Sequence, residues 1–123
     1  MRYFTLLEAT APDGPPPAEL MEAIAALGAE AGQAGSLVDF AGLTPSAFGA
    51  RVDVDGDGLS ITDGPFAESK ELVSYALYDV RTKEEAVEWA RRFMQLHVDH
   101  WPGWVGTTKV VKVFGPEDVP PAG

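Results

Sequence analysis

The chain has 123 residues, 46% of them hydrophobic, with 19 acidic side chains against nine basic ones and no cysteine. That length sustains one domain whose core buries roughly two thirds of the unfolded surface, and the lack of cysteine excludes disulfides and thiolate metal sites, as suits a reducing compartment. A formal charge of −10 repels phosphate backbones and anionic headgroups, which argues against nucleic-acid and membrane-surface partners.

Residues 3–8 alternate and are rich in aromatic and β-favouring side chains, which predicts a first strand. Glu8 interrupts the opening apolar run before a signal-like segment develops, and no stretch approaches the ~20 apolar residues of a membrane span; a soluble, cytoplasmic protein is expected. Asp13-Gly14-Pro15-Pro16-Pro17 breaks the strand. From Pro17 onward Leu20, Ile24, Leu27 and Ala31 recur at helical spacing, with Glu19, Glu22 and Glu30 off the stripe, so an amphipathic helix is predicted that ends at Gly35. Residues 37–43 read as a second strand and 50–54 as a third. Asp55-Gly56-Asp57-Gly58 turns the chain into an antiparallel return at 59–62.

Residues 72–80 carry apolar side chains on both alternating sets: Leu72, Ala76, Tyr78 and Val80 on one, Val73, Tyr75 and Leu77 on the other. Such a strand is covered on both faces. Thr82-Lys83-Glu84-Glu85 has the spacing of a capping box, opening a second helix whose buried stripe is Ala86, Trp89 or Ala90, Phe93 and His97. Residues 107–114 form a last strand. A single domain over 1–115 with a C-terminal tail over 116–123 is expected.

The order strand, helix, strand, hairpin, strand, helix, strand predicts an α+β fold: a ferredoxin-like antiparallel sheet with two helices on one face and an inserted β-hairpin. The bare sheet face then calls for a cover. A second copy related by a two-fold axis supplies it, pressing two sheets into a dimeric α+β barrel.

Asp63-Gly64-Pro65-Phe66 is a rigid corner, because an aspartate side chain bonds backbone two residues on, glycine permits unusual dihedrals and proline fixes φ. One reading is structural, with Phe66 held against the core. In the other, the corner sets Asp63, Glu68, Lys70 and Glu71 at the rim of a pocket lined by Phe66, Tyr75 and Tyr78, with Lys70 or Arg51 available to hold an anion.

Asp63-Gly64-Pro65-Phe66-Ala67-Glu68 with Lys70-Glu71 resembles the signature of the YCII-related, DGPF-type family. The similarity extends to Arg2-Tyr3-Phe4, to Lys83-Glu84-Glu85-Ala86-Val87-Glu88-Trp89-Ala90 and to Val111-Lys112-Val113-Phe114 with Pro116-Glu117-Asp118. The resemblance implies a homodimeric α+β barrel and, from the gene neighbourhood of such proteins, association with an extracytoplasmic-function sigma factor. Two departures stand out. Val73-Ser74 replaces a glycine pair, which reshapes any pocket there. Ala18-Glu19-Leu20-Met21 stands where enzymes of the wider superfamily place a histidine of a His–Asp dyad, so that dyad is not carried over. The expectation is a dimeric small-ligand-binding or regulatory accessory protein without a cofactor. The alternative is a small lyase- or isomerase-type enzyme acting on an organic acid or polar aromatic at a cleft near the Asp63 corner, with Asp63 or Glu68 as acid or base.

His97 and His100 share a helix face, but His97 lies on the apolar stripe and no third ligand accompanies them, so a helix C-terminal role is favoured over a metal site. Asp53-Val54-Asp55-Gly56-Asp57-Gly58 mimics the start of a calcium loop and then fails, with Gly64 where a bidentate glutamate is required; a hairpin turn is expected. Trp101 and Trp104 around Pro102-Gly103 are read as core packing.

Overall fold

Alternation at the N-terminus produces strand β1, Arg2–Ala9, in which Tyr3, Leu7 and Ala9 are buried while Phe4, Leu6 and Glu8 are only half-buried. The computed structural model describes residues 1–10, 14–66 and 70–121. Asp13 of the predicted break, Glu68 of the predicted site and the last two residues of the tail lie outside the described residues.

Helix α1, Ala18–Gln33, follows the predicted stripe: Leu20 and Ala31 are buried, and Ile24 and Leu27 are half-buried. Pro17 stands at its N-cap, where its carbonyl accepts from the N–H groups of Leu20 and Met21. At the other end Gly35 takes φ 76° while Ser36 N donates to the Ala31 carbonyl, 3.0 Å away; this left-handed closure favours glycine. Strand β2 is Leu37–Gly42, β3 is Ala50–Asp55 and β4 is Gly58–Asp63, with a single 3-10 turn at Ser46–Phe48 between β2 and β3.

Strand β5, Glu71–Asp79, lies between β2 and β1, and β6, Gly106–Lys112, lies on the other side of β1, so the sheet order is β2-β5-β1-β6 with every neighbour antiparallel. The units β1-α1-β2 and β5-α2-β6 each leave room for a strand between their own two, which is the expected ferredoxin-like plan. Strands β3 and β4 pair only with each other, as a separate two-stranded sheet. The Leu72 parity differs from expectation. The register between β1 and β5 shifts between Leu7 and Glu8, so that Ser74 opposes Leu7 but Leu72 opposes Glu8, which carries Leu72 to the face away from the helices.

Helix α2, Lys83–His100, buries Ala86, Ala90 and His97 and keeps Trp89 and Phe93 half-buried. Thr82 Oγ1 accepts from Glu85 N at 3.1 Å. The reciprocal arm reaches one residue further back than a capping box would, since Glu85 Oε2 accepts from Arg81 N. Tyr3, Tyr78, Val80 and Ala86 form the core cluster against Leu37, Ala76, Trp89 and Val110, and the Tyr78 and Trp89 rings stack 6.4 Å apart. Leu20 is the largest side chain sealed completely; its truncation to alanine costs about 2–5 kcal/mol. Among the described residues no helix is long and apolar enough to cross a membrane.

Candidate functional site

The Asp63 corner is built chiefly from backbone and from one serine. Asp63 ends β4 opposite Ala50 and is exposed. Gly64 N donates to the Gly49 carbonyl at 2.9 Å, the Gly64-Pro65 peptide is cis, and a Cβ on Gly64 would overlap the Ser46 carbonyl oxygen. Phe66 N donates to Ser46 Oγ at 3.3 Å, and that hydroxyl donates in turn to Glu71 Oε1 at 2.7 Å. The second carboxylate oxygen of Glu71 accepts from Ser46 N. Glu71 thus ties the start of β5 to the 3-10 turn instead of lining a pocket rim. The half-buried Phe66 ring lies under the Arg51 guanidinium, 5.4 Å from ring centroid to Cζ, while Arg51 Nε donates to Asp53. Lys70 is exposed at the entry to β5.

The predicted pocket residues therefore occupy three places. Asp63, Phe66 and Lys70 belong to the corner. Tyr78 faces the helices, where burial raises its phenol pKa. Tyr75, three residues earlier and of opposite parity, stands on the open face of the sheet, so the structure does not bring the two tyrosines together.

That open face is the more coherent constellation. Phe4 and Leu6 of β1 lie there with Tyr75 and Leu77 of β5, Asp39 and Ala41 of β2, and Lys109 and Val111 of β6. The Phe4 and Tyr75 rings stack 5.5 Å apart at 23°. The Tyr75 hydroxyl donates to Asp39 Oδ2 at 2.9 Å, and Asp39 Oδ1 accepts from Phe40 N. The bond to Asp39 raises the Tyr75 pKa, because ionisation would set a phenolate against a carboxylate. Lys109 Nζ lies 3.7 Å from Glu8 Oε1 on the same face. An aromatic platform with a polar handle on an apolar field is suited to holding a small aromatic.

Sequence reasoning missed Asp39 and Ser46. Alternation through 37–43 was sufficient to put Asp39 on one face with Ala41, and pairing then sets Ala41 opposite Tyr75 and Asp39 opposite Leu77, diagonal to the tyrosine. Nothing local in Thr44-Pro45-Ser46 points to a carboxylate 25 positions later.

An open cleft of roughly 730 Å³ lies at the opposite end of β5, lined by Met1, Asp79, Arg81, Glu85, Trp89 and Arg92 among others. Its charges are largely spent within the chain: Arg92 stacks on Trp89 at 5.0 Å and pairs with Glu30, and Glu85 accepts from Arg81 N. His97 is buried, its Nδ1 3.0 Å from the Phe93 carbonyl, which only accepts, so Nδ1 carries the proton. Its ring packs on Trp104 at 4.3 Å and meets Phe93 at 4.9 Å. Burial holds the His97 pKa below its ordinary value. His100 turns instead toward Glu19, 4.0 Å away. Among the described residues no three potential metal ligands are grouped, and Asp55 to Gly58 closes the β3–β4 hairpin, with Asp57 N donating to Asp55 Oδ1. No protein-family model matches the chain, and no curated protein matches it.

Proposed function

We propose that this chain is a homodimeric small-ligand-binding protein of YCII-related type, and that its ligand is a small polar aromatic held on the open sheet face rather than at the Asp63 corner. The observation that carries this reading is the Tyr75–Asp39 pair beside the Phe4 ring. The ring platform offers stacking. Asp39 offers a carboxylate acceptor whose present donor, a phenol, is itself the kind of group a ligand would bring. With a chain charge of −10, a ligand that donates hydrogen bonds or carries positive charge is favoured over an acid.

The same surface supports the dimer reading. Val73, Leu72, Val111 and Val113 are between 36% and 52% exposed, and a second copy laid on this face would bury them between two sheets about 10 Å apart. Sedimentation velocity on the full chain and calorimetric titration with tyramine and with 4-hydroxybenzoate test the reading. Expected are a dimer and heat of binding with tyramine that is lost in Tyr75→Phe and Asp39→Asn. A monomer, or tyramine heats unchanged in both variants, overturns it.

A further inference from the structure

The β3–β4 hairpin is an amphipathic ribbon whose apolar side nothing among the described residues covers. In its register Val52 opposes Ile61 and Val54 opposes Leu59, whereas Arg51 opposes Thr62 and Asp53 opposes Ser60. Side chains alternate along a strand and cross-strand partners share a face, so the four aliphatic residues form one surface and the polar ones the other. The aliphatic surface is bare: Val52 is 62% exposed, Ile61 73%, Leu59 74% and Val54 79%. Among the described residues the ribbon makes at most marginal contact with the four-stranded sheet and the helices. Its base is held by the Gly64 to Gly49 hydrogen bond and by the Arg51–Phe66 stack. A lone two-stranded hairpin is marginal in water, and an uncovered aliphatic ribbon is an aggregation hazard.

We infer that the ribbon is an arm that grips a second copy of this chain, laying Val52, Val54, Leu59 and Ile61 on the partner. The inference rests on the dimer reading above and adds the element that completes the interface. A stable interface takes about 20–30 residues a side, and the open sheet face offers only about a dozen; the ribbon and its flanks make up much of the shortfall. Both ends of the ribbon join the sheet where β2 ends and β5 begins, the end marked by Leu43 N donating to Val73 O. Six-residue strands reach about 20 Å, and the arm joins the sheet at the end where Leu72 and Val73 are themselves exposed. Charge favours the same occupant. Two chains of −10 each meet at least cost through uncharged surface, and the ribbon's aliphatic side carries no charge along Val52, Val54, Leu59 and Ile61, with Asp63 only at its base and Asp53 on the other side.

Sedimentation equilibrium of the full chain tests this, comparing wild type with the ribbon double variant Val54→Asp, Ile61→Asp and with the sheet-face variant Val111→Asp, each checked for native far-UV circular dichroism. Expected is a wild-type dimer whose dissociation constant rises at least about 30-fold in the ribbon variant, the scale of one lost hot spot, with the dichroism spectrum retained. A wild-type dimer with an unchanged constant in the ribbon variant overturns the arm and leaves the dimer standing; a wild-type monomer overturns both. Because the chain has no cysteine, Leu59→Cys supplies a second readout that does not depend on the double variant. Its alkylation by iodoacetamide is expected to be slow in the dimer and to accelerate on dilution through dissociation, and a rate independent of concentration in a dimeric protein overturns the arm.

Discussion

Gly64 passes so close to the carbonyl oxygen of Ser46 that no side chain fits between them. The Asp63-Gly64-Pro65-Phe66 phrase thus owes its glycine to a backbone crossing, in which the hairpin's exit strand closes against the turn that feeds its entry. Gly64→Ala is expected to force the two segments apart, at a cost of about 1–3 kcal/mol for an overpacked site. Urea denaturation measures the loss, and amide hydrogen exchange at Gly64, whose N–H is bonded to Gly49, shows where the opening begins.

Ser46 donates two hydrogen bonds to the Glu71 carboxylate across 25 positions of chain. Replacing Glu71 with alanine strands a half-buried hydroxyl and a backbone donor, and is expected to cost about 1–3 kcal/mol. Glu71→Gln keeps an acceptor and should cost less, because the serine hydroxyl can reverse its role toward the new amide. A double-mutant cycle with Ser46→Ala measured by chemical denaturation checks the pairing. Additive losses would mean that the two residues act independently.

The pH dependence of stability above pH 5 is expected to include a contribution from His97. Its pKa in the fold lies below the ordinary 6.5, chiefly because burial disfavours the imidazolium. The unfolded chain then binds more protons than the folded one between the two values, so the contribution is complete above 6.5 and is lost as pH falls from there toward the folded value. The surface carboxylates held down by hydrogen bonds from arginine or lysine act lower still. Glu30 with Arg92, Glu88 with Arg91 and Asp118 with Lys112 respond below their ordinary 4.5, 4.5 and 3.8. Thermal melts between pH 5 and 8 should rise with pH up to about 6.5 in the wild type, level off above it, and lose that rise in His97→Gln, which keeps a donor for the Phe93 carbonyl. The slope is the readout, whatever the variant's absolute stability.

Most of the fold was legible because its signals are periodic. Leu20 and Ala31 sit where the helical stripe puts them, and both split βαβ units follow from element order alone. The site was less legible, for two separate physical reasons. Tyr75 and Tyr78 differ by three positions, and strand alternation alone sets them on opposite faces; grouping them in one pocket gave proximity in sequence more weight than parity. Ser46 and Leu72 were beyond reach of pattern. The serine's partner is chosen by tertiary closure of the corner, and the register shift that moves Leu72 to the open face arises in pairing with β1, which no single strand encodes.

Tyr75 also reports on the open face directly. In the fold its hydroxyl donates to Asp39, and this bond, more than burial or charge alone, raises its pKa above the ordinary 10.0. Asp39→Asn removes the carboxylate while keeping a side-chain acceptor, so Tyr75 should ionise earlier, toward its ordinary value. The absorbance of phenolate in an alkaline titration measures the change, with Tyr75→Phe assigning the transition against Tyr3 and Tyr78. The same titration senses whether a second copy covers the face. Covering it withdraws solvent from Tyr75 and disfavours the phenolate further, so the transition should move to higher pH as protein concentration is raised through dimerisation. A transition that ignores both Asp39→Asn and concentration would place Tyr75 in open water, and with it the ligand platform.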